Sequence, residues 1–208
     1  MGRGRFITLE GIEGSGKTTQ AMLLRDFLVG KGFRVVVTRE PGGSPIAEKI
    51  REILLDPRNS KMVALTELFL YEASRTQHVA ETIRPALEAG NVVICDRFFD
   101  ASTAYQGNAR GLDMKMVANL NLLATGGIVP DITIVLDLPV GVGLKRLGRS
   151  LDRIESETME FHERVRQGYL RIAESDASRI KVVDASGGID DISLKIKRIV
   201  DAWLSLER

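Results

Sequence analysis

The run Gly11-Ile12-Glu13-Gly14-Ser15-Gly16-Lys17-Thr18 carries the densest chemistry in this 208-residue chain. Its glycines free the backbone to turn N–H groups inward around phosphate oxygens. The spacing G-x-x-x-x-G-K-[ST] sets an ammonium, Lys17, against the outer phosphates and a hydroxyl, Thr18, where it can ligate Mg²⁺. The loop follows the apolar run Phe6-Ile7-Thr8-Leu9 and precedes a helical pattern with Met22, Leu23, Phe27 and Leu28 as its apolar positions. A helix beginning near Lys17 would add the positive end of its dipole. Residues 11–18 are therefore expected to bind a nucleoside triphosphate. Other charged groups have a place in the same chemistry. Asp96, ending the run Val92-Val93-Ile94-Cys95, is the natural carboxylate for Mg²⁺ held through water, and Arg39, Arg51 and Arg97 suit a second phosphate. The loop holds Glu13 and no arginine, so a cation beyond Lys17 must come from elsewhere. The segment from Lys145 to Arg153 offers Lys145, Arg146, Arg149 and Arg153, placed as a lid.

The elements that must position these groups are legible as alternating patterns. Five short apolar or β-branched runs, Phe6–Leu9, Phe33–Thr38, Val92–Asp96, Ile132–Leu136 and Ile180–Asp184, read as buried parallel strands. Helical segments separate them, the signature of right-handed crossovers. Gly30 and Gly32 stop the first helix, and Pro45 opens a second whose apolar face is Ile46, Ile50 and Leu54. The last helix lines up Ile192, Ile196, Ile199, Val200 and Trp203. The expected fold is α/β: a doubly wound five-stranded parallel sheet flanked by helices, a single domain over residues 1–208 with a short mobile lid at about 145–155. In such a sheet ligands gather at the carboxyl ends of the strands, and the loaded segments do follow strands: 11–18, Arg39-Glu40-Pro41-Gly42-Gly43, Asp96-Arg97 and Asp184-Ala185-Ser186-Gly187-Gly188.

Composition narrows the partners. A formal net charge of +1 indicates no general polyanion surface, so nucleic acid is not an expected partner. No stretch approaches a membrane span, and Met1-Gly2-Arg3-Gly4-Arg5 enters the first strand with neither a leader core nor the myristoylation pattern. The single cysteine, Cys95, excludes an internal disulfide, fits a reducing cytosol and reads as a small buried hydrophobe. His78 and His162 have no metal-ligand spacing and read as structural or surface residues.

Four further segments match a known family in order and spacing. Thr38-Arg39-Glu40-Pro41-Gly42-Gly43, Asp96-Arg97 with Ala104-Tyr105-Gln106-Gly107, Thr125-Gly126-Gly127-Ile128-Val129-Pro130-Asp131 and Leu151-Asp152-Arg153-Ile154-Glu155 together resemble bacterial thymidylate kinase, across the length of the chain. The resemblance implies transfer of the γ-phosphoryl group of ATP to dTMP, giving dTDP and ADP with Mg²⁺, in a cytosolic homodimer. It implies that Glu13 approaches the sugar 3′-hydroxyl side of the acceptor and its neighbouring arginine. Arg39, Arg51 and Arg97 would surround the dTMP phosphate, with Glu40 in the same site. Tyr71 would stack on thymine, Arg75 would bond O4, Ser102 and Gln106 would meet the base edge, and Tyr105 would lie under the deoxyribose. The sequence departs from the family pattern where Tyr71 replaces a common Phe, where Ala101 replaces a common Ser or Thr, and in a shorter lid around Gly148-Arg149-Ser150. The shortened lid leaves open which of Arg146, Arg149 and Arg153 reaches the phosphates, with Arg153 the first choice and Arg149 the second. Two readings compete: another pyrimidine nucleoside monophosphate kinase, and a non-catalytic nucleotide sensor, which would need switch loops in place of an acceptor-phosphate pocket. Apolar stripes over residues 63–71 and 79–89 could serve a dimer interface or the core.

Overall fold

The computed structural model describes residues 4–148 and 150–206. Met1, Gly2 and Arg3, part of the segment read as leaderless, and Arg149, a lid candidate, lie outside them. In chain order the elements are β1 (Arg5–Glu10), α1 (Lys17–Gly30), β2 (Val35–Arg39), α2 (Pro45–Leu55), α3 (Ala64–His78), α4 (Arg84–Glu88), β3 (Val92–Asp96), α5 (Phe99–Ser102), α6 (Met114–Thr125), β4 (Ile132–Asp137), α7 (Val140–Leu147), α8 (Met159–Ser175), β5 (Ile180–Asp184) and α9 (Ile189–Leu206). Among the described residues the five strands form one sheet in the order β2-β3-β1-β4-β5, every pairing parallel. This is the doubly wound α/β fold that the alternating pattern predicts. Strands buried on both faces need apolar residues at successive positions, and period-2 geometry deals them to opposite sides. Ile7, Leu9, Ile94 and Ile134 enter the larger core, shared with α1, α8 and α9, while Phe6, Val93, Cys95 and Phe98 enter a smaller one with Val79 and Ile83. Cys95 is fully buried.

Register brings the chemistry together. Leu9 and Arg39 both pair with Asp96, so β1, β2 and β3 end side by side. The loop after β1 thus leaves the sheet between Arg39 and Asp96 on one side and β4 on the other.

Local differences from the sequence reading have physical causes. β2 begins at Val35 rather than Phe33 and runs to Arg39, while β1 and β4 each extend to an acidic residue. In α2 the inward side chains are Ala47 and Leu54, and Ile46 stays half exposed. Rows 46/50/54 and 47/50/54 are neighbours on a helix, and apolar spacing alone does not choose between them. In α1 the buried row is Gln20, Ala21, Leu24 and Leu28, leaving Met22 exposed. The stripe over 79–89 belongs to the core: Val79, Ile83 and Ala86 are buried. Its helix is interrupted by a π turn, Val79–Ile83, just before Pro85, which lacks the N–H a regular helix would use there. A second π turn, Thr103–Ala109, follows α5 and carries Tyr105 and Gln106.

Candidate active site

The loop after β1 is shaped by positions that exclude side chains. Gly14 has φ 71° and lies against Gly143, where a Cβ would collide with the Gly143 carbonyl oxygen. Gly16, at φ 94°, precedes α1 without any side-chain cap, so the first N–H groups of that helix are left for a ligand. Lys17 is buried, and its Nζ donates to the Gly11 and Ile12 carbonyls at 3.1 and 2.8 Å. Burial, reinforced by the charge of Arg97, pushes its pKa down to about 8 despite Asp96, Glu13 and Glu10 nearby. Thr18 Oγ1 donates to Asp96 Oδ2 at 2.6 Å. A hydroxyl and one carboxylate suit Mg²⁺, which takes hard oxygen ligands and completes its shell with water and phosphate.

Two cavities meet at this loop, and Gly14, Lys17 and Thr18 line both. The first, of about 490 Å³, lies over residues 14–20 and is closed by Arg146, Gly187, Gly188, Ile189 and Ile192. Arg146 donates to the Gly14 and Ala185 carbonyls at 3.4 Å. The second, of about 320 Å³, runs from the loop across the ends of β2 and β3, with Arg39, Arg51, Tyr71, Arg97, Ser102 and Gln106 among its lining residues. Arg97 is the one non-glycine residue with positive φ among the described residues, at 73°. Its guanidinium donates to Gly11 O at 2.8 Å, to Tyr169 Oη at 3.1 Å and to Glu13 Oε1 at 2.8 Å. Tyr105 Oη donates to the same Glu13 oxygen at 2.6 Å. Burial works to raise the Glu13 pKa, but the Arg97 charge and the surrounding hydrogen bonds outweigh it and hold the carboxyl well below the usual range. Arg51 donates to Pro41 O at 2.8 Å, and burial followed by the charge of Arg39 lowers its pKa. Arg39 pairs with Glu48 at 3.1 Å at an exposed edge. Arg51 and Arg39 thus bring two guanidinium groups to the same end of the cavity, with Glu48 and Asp152 beside them.

The base end of the second cavity is a buried polar cluster. Arg75 donates to Glu40 at 2.8 Å, Glu72 at 2.6 Å, Asn121 at 3.0 Å, Ser102 at 3.1 Å and the Phe98 carbonyl at 3.2 Å. It stands behind the cavity wall, while its partners Glu40 and Ser102 form that wall. His78 in turn contacts Glu40 at 3.0 Å and Thr38 at 2.6 Å, a fully buried structural position. Tyr71 lines the cavity, and burial, then Glu67, raises its pKa.

A family model described as thymidylate kinase matches residues 9–196. A thymidylate kinase of Desulfovibrio desulfuricans is 48% identical over 208 residues, 96% of each chain. One from Desulfosudis oleivorans is 54% identical over 197 residues, 90% of this chain and 92% of that one. The chain belongs to the thymidylate kinase family. The crystal structure of thymidylate kinase from Ehrlichia chaffeensis shares the fold with a TM-score of 0.80 at 34% identity, covering 96% of this chain and 99% of that one.

In this member of the thymidylate kinase family, the expected groups 11–18, Arg39, Glu40, Arg51, Tyr71, Asp96, Arg97, Ser102, Tyr105 and Gln106 cluster around the two joined cavities, with Arg75 one layer behind. Arg146 sits in the donor-side cavity, and Arg149 lies outside the described residues. Arg153 is not at either cavity. Its Nε donates to Leu54 O at 2.7 Å and its Nη1 to Glu67 Oε2 at 2.6 Å, so the guanidinium anchors the C-terminal end of the lid segment to α2 and α3. Asp152 stiffens that segment by accepting from the N–H groups of Ile154 and Glu155 at 2.9 Å.

Three residues of the site escaped the sequence reading. Glu10 accepts from Phe98 N and Tyr169 Oη, each at 2.7 Å, bracing the turn that holds Arg97. Burial, then the charge of Asp100, pushes the Glu10 pKa up to about 8. His162 is buried with its Nδ1 3.5 Å from Glu13 Oε2. Glu67 collects Gln106, Arg110 and Arg153. Glu10 had a usable signal, a carboxylate at the end of a buried strand; the others lie far along the chain from their partners.

Proposed function

We propose that this chain transfers the γ-phosphoryl group of ATP to dTMP, giving ADP and dTDP, within one P-loop kinase domain spanning residues 1–208. The observation that carries the reading is the meeting of two cavities at Lys17 and Thr18, one built for a triphosphate and the other lined by arginines and a polar base end. The triphosphate lies on the N–H groups of residues 14–18, and Arg146 covers the donor nucleotide. Arg39, Arg51 and Arg97 hold the acceptor phosphate. One of its oxygens attacks the γ-phosphorus as the bond to the β,γ-bridging oxygen breaks, so ADP leaves with that electron pair. The acceptor oxygen is already anionic, and no general base is required. Lys17 follows the transferring group, and its preorganised charge acts most strongly where negative charge develops.

Glu13 keeps Arg97 aimed and approaches the sugar 3′-hydroxyl side of the acceptor. Tyr71 stacks on thymine, Tyr105 lies under the deoxyribose, and Ser102, Gln106 and Arg75, with Glu40 behind them, read the base. Thr18 and, through water, Asp96 would hold Mg²⁺. When bound, Mg²⁺ neutralises the outer phosphates and keeps them aligned. The segment 145–155 acts as the lid, with Arg149 now the leading transition-state cation because Arg153 is committed to Leu54 and Glu67. A homodimer is supported by exposed Val63, Leu65 and Phe69 beside and along α3 and Leu122 and Leu123 on α6, which packs against α3. This reading assigns no nucleic-acid or membrane partner; as a separate observation, no helix among the described residues is long and apolar enough to cross a membrane. A cytoplasmic location fits the buried, unpaired Cys95. ADP release with ATP, Mg²⁺ and single monophosphates tests the assignment, with dTMP expected to be the fastest acceptor and a faster AMP or GMP refuting it.

A further inference from the structure

Glu67, on α3, is fully buried, and each of its carboxylate oxygens receives two donors. Oε1 accepts from Gln106 Nε2 at 2.9 Å and Arg110 Nε at 3.1 Å. Oε2 accepts from Arg110 Nη2 at 3.0 Å and Arg153 Nη1 at 2.6 Å. Burial works to raise its pKa, but the hydrogen bonds of Arg110 and Gln106 bring it below the usual value, so it stays a carboxylate. A carboxylate only accepts, and the Gln106 end that faces it must therefore be the NH₂. Gln106 lines the acceptor cavity, and no described residue donates to its Oε1.

We infer that Glu67 is a specificity-determining positioning residue: by fixing the Gln106 amide it presents an acceptor, Oε1, to the base, selecting a pyrimidine that carries an N–H at ring position 3. This rests on the dTMP reading and goes beyond it. Thymine offers the N3–H donor that Oε1 requires. Cytosine offers a lone pair at N3, and two acceptors would face each other in a buried site. The same carboxylate grips Arg153, tying the orientation of the base reader to the C-terminal end of the lid segment.

The test compares kcat/KM for dTMP and dCMP in the wild type, Glu67→Gln, Gln106→Leu and the double variant. In Glu67→Gln the two guanidinium Nη donors keep the new amide oxygen on their side. Its NH₂ then faces Gln106, whose amide turns over and points a donor at the base. The dTMP:dCMP ratio should fall roughly tenfold or more, the cost of an unmatched buried polar contact. Gln106→Leu should lower the ratio as well, and adding Glu67→Gln to it should change the ratio no further. A Glu67→Gln enzyme that slows on both substrates equally, with an unchanged ratio, refutes the inference. A wild type without preference for dTMP refutes the acceptor reading instead. Should Glu67→Gln not fold, the wild type still decides by NMR. The Gln106 side-chain NH₂ signals, assigned with Gln106→Leu, should be protected from exchange and unmoved by saturating dTMP. Signals that shift as the NH₂ turns to the base overturn the proposal.

Discussion

Replacing Arg97 by alanine removes three contacts at once: to the Gly11 carbonyl, to Tyr169 and to Glu13. Two consequences separate cleanly. In the free protein, the Arg97 and Glu13 side chains are 15% and 12% exposed, so the pair is largely but not fully buried and the cost of a buried pair is an upper figure. Breaking a buried pair from one side typically costs about 3–5 kcal/mol, because the remaining charge loses its partner. For a domain of this size each kcal/mol moves Tm by about 2–4 °C, so the variant should melt roughly 6–20 °C lower. Combining it with Glu13→Gln should recover part of that loss, since the stranded charge is then gone. In the complex, a charge-assisted hydrogen bond to the acceptor phosphate contributes about 1.5–3 kcal/mol, or roughly 10- to 150-fold in dTMP affinity. ATP affinity should change little, because the donor-side cavity is lined by residues 14–20 and Arg146 rather than by Arg97. Calorimetric titration of each ligand separately, beside a thermal melt, reads all of this. An Arg97→Ala protein that binds dTMP normally and loses ATP would refute the assignment of the two cavities.

Lys17 should give kcat/KM for ATP an alkaline limb near pH 8 in the free enzyme, since burial and Arg97 lower its pKa to about 8 and the charge that meets the phosphates is lost above that. Glu10→Gln should keep that limb, and its disappearance would assign the titration to Glu10, whose pKa is raised to about 8. Among the lid arginines, Arg149→Ala should lose kcat with little change in ATP affinity, measured by single turnover. Arg153→Ala should instead show mainly a lower Tm, because its contacts are to Leu54 and Glu67. Phe69→Glu on α3 should convert a dimer to a monomer in light scattering, and a monomeric wild type would remove the dimer proposal.

The reach of the sequence follows from the range of the interactions. The phosphate loop was legible because its demands are local: glycines at positive φ, a lysine and a hydroxyl within eight residues, and a strand before and a helix after. The inner strands β1, β3 and β4 were legible because burial on both faces needs unbroken apolar runs, while the edge strands β2 and β5 are only partly buried and the strand ends differ by a residue or two. The base end was not readable from local pattern. Tyr71, Arg75, Ser102 and Gln106 come from α3, α5 and a π turn, and only the family resemblance joined them. Arg153 shows the limit most clearly. Its place in a basic lid suggested a phosphate contact, and nothing nearby in sequence announces Glu67, distant along the chain, as its partner. Glu67 itself has no local signal that sets it apart from other charged residues of the chain.

The central claim is tested most directly by following the γ-phosphoryl group itself. ATP labelled in that group is mixed with the protein, Mg²⁺ and equal concentrations of dTMP, dCMP, AMP and GMP, and the products are separated before completion. The account predicts label in dTDP, with Lys17→Ala transferring far more slowly under the same conditions. Label accumulating in another diphosphate, or in inorganic phosphate alone, would contradict it.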